Sequence, residues 1–275
     1  MVTLVLIYSL NSAIKYSIFV KNTTSLRPVT PIGIPFIQIG EVDSSNNYAM
    51  AQAQAQLADH GATFFTSYQT AGKGQRGKHW NAESGKNIML SCVLKPNLIS
   101  IDNQFVLIAA IALACYDFFK YYAGDETSIK WPNDIYWKDR KAGGILIESI
   151  LQGSDWKFAI AGIGININQT IFSPYLPNPV SLKQITGKSH NPIELGKELC
   201  GFLQKRWEML VPLDKQFIID EYNASLYKKD EMVRLKKQDA FFSARNKGVN
   251  EKGELIIDTG IVSIIPFGEV EWVIP

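Results

Sequence analysis

The stretch from Ser128 to Leu151 constrains the fold more than any other. "SIKWPNDIYW" and "AGGILIESIL" are rich in β-branched and aromatic residues, and only "KDRK" separates them. So short a polar link cannot hold a helical crossover, so the two runs pair antiparallel. "WKFAIAGIGININ" follows directly and is apolar enough to be a central strand. Upstream, "FIQIGEV", "TFFTSYQ" and "NIMLSCVLKP" read as strands, the last stopped by Pro96. Most strands thus follow one another or are joined by hairpins. The pattern predicts an α+β fold: a mixed, mainly antiparallel sheet with packed helices, rather than a doubly wound parallel sheet.

The helices come from the remaining segments. "DSSNNYAMAQAQAQLADHG" reads as a helix with Ser44 or Ser45 as N-cap and Gly61 as its stop. "IDNQFVLIAAIALACYDFFKYYAG" is long and mostly apolar, which predicts a buried helix. "NPIELGKELCGFLQKRWEML" and "PLDKQFIIDEYNASLY" predict two more. Past about residue 230 short strands alternate with "RNKG", "EKGE" and "DTG", the texture of a small all-β domain. The chain divides into an N-terminal extension over 1–32, a main domain over 33–228 and a small domain over 229–275. The opening "MVTLVLIYSLNSAIKYSIFVKNTT" lacks a basic start and is interrupted by Asn11 and Lys15, which argues against a signal peptide or a membrane span. An extra strand or arm, and upstream sequence included by a misplaced start, both fit it.

A formal charge of +2 over 275 residues excludes the strong basic excess of general nucleic-acid binders. Cys92, Cys115 and Cys200 lie far apart in apolar stretches and form neither a metal pattern nor a disulfide framework. They predict buried thiols in a reducing cytoplasm. His60, His79 and His190 show no ligand spacing either.

Charge is concentrated in "AGKGQRGKHWNAESGK". Gly72, Gly74 and Gly77 spell G-x-G-x-x-G, the spacing of a dinucleotide-binding turn. That turn requires a helix immediately after it, and "KHWNAESGKN" has no helical period. What remains is a glycine-rich loop with Lys73, Arg76, Lys78 and Lys86 against Glu83: a solvated surface loop, or an anion clamp.

Four polar clusters interrupt segments that otherwise look like core. They are Asp43–Asn47; Gln69 with the basic loop; Lys130–Asp134 with Lys141; and Asn166 with Asn168. Taken singly, each has an ordinary structural account. The serines could cap a helix, Pro132-Asn133-Asp134 could form a turn or bulge, Asn166 could sit at a glycine bulge, and Lys141 could be a surface lysine.

Together, "EVDSSNNYA", "YQTAGKGQRGKHW", "IKWPNDIYWKDRKAGGILIE" and "GIGININ" resemble, in order and separation, the biotin protein ligases, over about residues 36–275. The resemblance implies a sheet-and-helix core related to class II aminoacyl-tRNA synthetases and a C-terminal SH3-like barrel. It implies ATP and Mg²⁺ as cofactors, biotin as substrate, and transfer through biotinyl-5'-AMP to a lysine of a biotin carboxyl carrier protein. Lys141 and Arg76 take the catalytic positions. Ser44, Ser45, Asn46, Gln69, Lys73, Gly74, Gln75, Trp80, Lys141 and Gly144 match the biotin site, with Gly143 beside the same slot. Lys73, Arg76, Lys78, Lys130, Asn133, Asp134 and Asn166 match the nucleotide side, with Asp134 toward Mg²⁺. A cytoplasmic enzyme follows, with no DNA or membrane partner, and a homodimer is compatible with it.

The loop departs from the arginine-rich G-R-G-R-R-G of well-known members. Lys73 keeps charge without a planar fork, and Gln75 has none. The short, apolar N-terminal segment does not suit a DNA-binding helix-turn-helix. The alternatives are a lipoate–protein ligase on a related fold and a non-catalytic biotin-binding regulator.

Overall fold

The computed structural model describes residues 30–97, 99–153, 155–210 and 214–274; the proposed extension falls almost entirely outside them. Seven strands form the main sheet: β1 (Phe36–Val42), β2 (Thr63–Gln69), β3 (Ile88–Leu94), β4 (Thr127–Lys130), β5 (Asp134–Trp137), β6 (Arg140–Gln152) and β7 (Asp155–Ile165). Their order is β1-β2-β3-β7-β6-β5-β4. Only β1 and β2 run parallel, and every other neighbouring pair is antiparallel, as the hairpin pattern requires. The segment 128–137, read above as one strand, is itself a hairpin: β4 and β5 pair with each other around Pro132, which follows a cis peptide. Proline cannot donate to a ladder and ends the strand there.

Helices cover both faces. On one side lie α2 (Gln104–Ala123), α4 (Pro192–Met209) and α5 (Lys215–Ala224), with short α3 (Leu182–Thr186) against α2. Strand alternation sends Cys92, Leu94, Ala161 and Ile163 into this larger core. Helix α2 is apolar enough to cross a membrane by length and composition, but it is mostly buried here. All three cysteines are buried and free. On the other face α1 (Ser45–Gln54) packs Ala49 and Ala53 against Phe64, Val93 and Ile160. This helix ends seven residues before Gly61, at Gln54. Its apolar stripe runs out, since Leu57, one turn beyond Ala53, is 74% exposed, and Gln56 takes a left-handed φ of 61°. Gly61 instead joins the sheet, donating its N–H to Val93 at 2.9 Å.

The remaining strands, β8 (Met232–Lys237), β9 (Ala240–Val249), β10 (Leu255–Asp258), β11 (Val262–Ile265) and β12 (Glu271–Trp272), make a separate five-stranded antiparallel sheet in the order β11-β10-β9-β8-β12. It docks on the main domain. Trp131 Nε1 donates to Gly253 O at 2.8 Å, and a side chain at Gly253 would collide with the Phe105 ring.

Candidate active site

A cleft of about 880 Å³ opens on the α1 face of the main sheet. The site residues implied by the resemblance line it: Ser44, Ser45, Asn46, Gln69, Lys73, Gly74, Gln75, Arg76, Lys78, Trp80, Lys130, Asn133, Asp134, Lys141, Gly144 and Asn166. Gly143 does not. Alternation turns it to the other face, where an added Cβ would stand 2.9 Å from Gly164 O. Asn168 is a brace, exchanging hydrogen bonds with the His190 backbone, and Lys86 only faces Glu83 at 3.9 Å.

The floor is built from glycines two residues apart. Gly162 and Gly164 of β7 stand opposite Leu146 and Gly144 of β6. A Cβ on Gly162 would lie 2.2 Å from Asn46 Oδ1, and one on Gly164 would lie 2.5 Å from the Trp80 indole. These glycines were missed as site residues. The signal was present, because glycine in a strand interior marks a close approach. Along the strands, Asn46 stands over the Gly162–Leu146 pair and Trp80 over the next pair, Gly164–Gly144; across the sheet at that same level, Asp134 and Lys141 stand beside Gly144. Successive positions on this face are about 7 Å apart.

At the first end, the α1 N-terminus carries a buried polar set. Ser44 is the N-cap by backbone geometry but makes no side-chain cap bond, so its hydroxyl stays with the cleft. Ser45 N–H donates to Gln69 Oε1 at 2.7 Å. That bond turns the Gln69 amide so that its NH₂ remains a donor, with Met89 Sδ 3.6 Å away. Asn46 Nδ2 donates to Glu148 Oε2 at 2.8 Å and Leu146 O at 3.3 Å. Ser91 Oγ lies 2.6 Å from Asn46 Oδ1 and 2.8 Å from Ser45 Oγ. Neither Glu148 nor Ser91 stood out in the sequence. Trp80 Nε1 is buried in the middle section with no partner among the described residues.

The other end is cationic. Lys141 Nζ meets Asp134 Oδ1 at 2.6 Å, and Lys130 Nζ faces Asp134 Oδ2 at 3.9 Å. Burial holds the Lys130 ammonium below the usual lysine range, opposed by Asp134 and reinforced by Lys141 and Lys78. Its Nζ lies 5.4 Å from the Tyr136 ring and 5.9 Å from the Trp272 ring. Asn133 Nδ2 donates to Ile145 O, and Asn166 Nδ2 donates to Val180 O at 3.1 Å, so both amides brace the floor. The segment after β7 clamps Lys141 from behind: Lys141 N–H donates to Asn178 O and Val180 N–H to Lys141 O, each at 2.9 Å.

The basic loop covers the cleft. Gly74 N–H closes on Lys78 O at 2.7 Å, and Arg76 at the turn has a φ of 55°. Lys73 Nζ points to Glu148 at 3.5 Å, while Lys78 faces the Lys130 end and Arg76 rests against Gly268 of the β11–β12 turn. Phe267 of the β11–β12 turn, with Glu271 and Trp272 of β12, completes the wall. The cations Lys73, Arg76, Lys78, Lys130 and Lys141 thus outnumber the acids Asp134 and Glu271 lining the cleft, even with Glu148 beside Lys73. Such a surface takes an anion. No three His, Cys, Asp or Glu among the described residues are grouped to hold a metal ion.

Comparison with known proteins bears on this cleft. Residues 39–166 match the model of the Biotin/lipoate A/B protein ligase family. The biotin–acetyl-CoA-carboxylase ligase of Paracoccus denitrificans is 32% identical over 179 residues, covering 62% of this chain and 71% of that relative. The bifunctional ligase/repressor BirA of Bacillus spizizenii is 26% identical over 230 residues, covering 80% of this chain and 68% of the relative. The biotin protein ligase from Aquifex aeolicus, solved with biotin and ATP, superposes with a TM-score of 0.73 at 23% identity, over 87% of this chain and 100% of that one. This last likeness speaks for the fold alone.

Proposed function

The chain belongs to the biotin protein ligase family, and from that premise we propose that it activates biotin with ATP as biotinyl-5'-AMP and transfers the acyl group to a lysine of a biotin carboxyl carrier protein. The observation that carries this is the polarity of one cleft: a buried hydrogen-bonding set at the α1 end, an indole-and-glycine slot, and a lysine cluster at the far end. A cyclic urea needs an acceptor for its N–H and a donor for its C=O. Ser44 or Ser45 and the Gln69 NH₂ supply these. Trp80 over Gly164 fits the flat apolar body and the valeryl chain, which leads the carboxylate to Lys141.

In the first step a carboxylate oxygen attacks the α-phosphorus of ATP, the bond to the β-phosphate oxygen breaks, and pyrophosphate leaves. Two anions approach each other, so fixed cations dominate the barrier. Lys141 bridges the carboxylate and α-phosphate once Asp134 releases it, and Arg76, Lys78 and Lys130 meet the phosphates. Asn133 and Asn166 hold the floor beneath the nucleotide. Closure of the glycine loop keeps water from the acyl-adenylate. In the second step the carrier amine attacks the acyl carbon, AMP leaves, and the amide nitrogen loses its proton. Mg²⁺ would neutralise phosphate charge. The residues suit an ion that arrives with the nucleotide and takes at most Asp134 from the protein, because both Asp134 oxygens already face lysines.

Lipoate, the other acid within the matched family description, has a dithiolane head without hydrogen-bonding hydrogens. It would leave the buried polar set unmatched, at about 1–3 kcal/mol per group. We assign residues 33–228 to a class II synthetase-like catalytic domain and 229–275 to an SH3-like domain. The test is incubation with ATP, Mg²⁺, biotin and a carrier domain, read by avidin blot. Labelling of the carrier lysine supports the assignment, and an unlabelled carrier with active controls overturns it.

A further inference from the structure

Glu148 closes the "AGGILIE" run and has no part in the chemistry above. Its side chain is 26% exposed, on the cleft face of β6, in register with Ile160 of β7. A carboxylate half-withdrawn from water on a strand needs a reason, and its two contacts supply one. Oε2 accepts from Asn46 Nδ2 at 2.8 Å, and Oε1 faces Lys73 Nζ at 3.5 Å.

The first contact fixes more than Asn46. A carboxylate and a carbonyl, from Glu148 and Leu146, both accept only. They therefore hold the NH₂ of Asn46 on their side and turn Oδ1 to Ser91. An amide oxygen cannot donate, so the one hydroxyl hydrogen of Ser91 goes to Asn46. Ser91 can then meet Ser45 only as an acceptor, and the 2.8 Å contact between them uses the hydrogen of Ser45. Ser45 Oγ is left with lone pairs toward the cleft. The direction of every bond in this chain, Ser45 to Ser91 to Asn46 to Glu148, ends on the one group that carries negative charge.

We propose that Glu148 is a positioning residue that sets the hydrogen-bond direction at Ser45, and so makes this end of the cleft selective for a ligand N–H, while anchoring the stem of the basic loop through Lys73. The proposal rests on the biotin reading, in which a ring N–H of the cyclic urea is the group selected. Glutamine at 148 keeps an acceptor for Asn46. Leucine keeps the bulk and removes it, leaving only the longer 3.3 Å bond to Leu146 O to hold the Asn46 amide, so that Asn46 can turn over and Ser45 can point a hydrogen at the ligand.

The experiment is calorimetric titration, without ATP, of the full chain with biotin and with the cyclic-carbamate analogues in which one or the other ring N–H is replaced by oxygen. Wild type prefers biotin over at least one analogue. Glu148→Leu weakens biotin about tenfold and leaves that analogue unchanged or binds it more tightly, so the preference falls by at least that factor, and Glu148→Gln restores it. A residue that only supported the strand would weaken both ligands alike. Equal weakening, an unchanged preference in Glu148→Leu, or no recovery in Glu148→Gln overturns the proposal. If Glu148→Leu does not fold, Ser91→Ala takes its place: it removes the acceptor of the Ser45 hydrogen and is expected to lower the same preference, and an unchanged preference overturns the proposal. A wild type that does not bind biotin overturns the ligase reading as well; a wild type that binds normally beside an unaffected variant overturns only the role of Glu148.

Discussion

Lys141 and Asp134 neutralise each other at 2.6 Å, so in the proposed reaction the carboxylate or phosphate has to draw the ammonium away from a partner already in place. Gly144 allows this, since a Cβ there would sit 3.4 Å from Lys141 Nζ. Lys141→Ala is expected to slow biotin-dependent pyrophosphate exchange by about 2–4 kcal/mol of barrier, roughly 30- to 1000-fold, while the melting temperature changes little. Exchange near the wild-type rate would remove Lys141 from the reaction. At this scale the sequence was most informative for residues that stand out against their surroundings. Lysines, Asn133 and Asp134 in an apolar run announce themselves. Glu148 and Ser91 do not, because their meaning comes from Asn46, which is far away in the chain and meets them only through the sheet.

Strands and loops place these groups, and alternation explains why. Successive residues of β7 face opposite sides, so Ile163 and Ile165 enter the core while Gly162 and Gly164 open the cleft. Gly162→Ala is expected to push Asn46 aside and weaken biotin binding by about 1–3 kcal/mol, with β7 itself intact. Unchanged affinity would mean that Asn46 is not held as described. The link between α1 and β2 predicts a pH effect. His60 stacks on Trp207 of α4 at 4.7 Å and accepts the Lys95 N–H at 3.1 Å beyond β3. Burial lowers its pKa, against the pull of Asp59 and with the push of Lys95. The folded value thus lies below the unfolded one, the unfolded chain binds the proton first, and stability falls as pH drops through about 6.5. Melting temperatures across that window should fall less in His60→Phe, which stacks without titrating; identical slopes would contradict it. Elements were legible where one pattern ruled. The apolar run of α2 and the central β7 read correctly. The end of α1 did not, because glycine at 61 mimics a helix stop while serving a sheet contact. The split of 128–137 was only half visible, since Pro132 could mark a bulge as well as a turn.

Across the whole molecule, the lysine-rich end of the cleft draws on both sheets. Trp131 is tied to Gly253, Arg76 lies against Gly268, and Lys130 is flanked by Tyr136 from the main sheet and Trp272 from the small one. Trp272→Ala should raise the KM for ATP roughly 3- to 30-fold and leave biotin affinity alone, because it removes a cation–π wall without touching the α1 end. A loss confined to biotin binding would reverse the assigned ends of the cleft. The short strands of the C-terminal sheet were legible from their turn spacing, but their share in the cleft was not. Phe267 and Trp272 look like ordinary core residues of a small sheet, and only docking reveals that they also wall a cleft. This cleft is proposed to join biotin to AMP, and ATP–pyrophosphate exchange measures that step without a carrier protein. Exchange is expected with biotin and none above background with lipoate. Exchange supported by lipoate and not by biotin would contradict it.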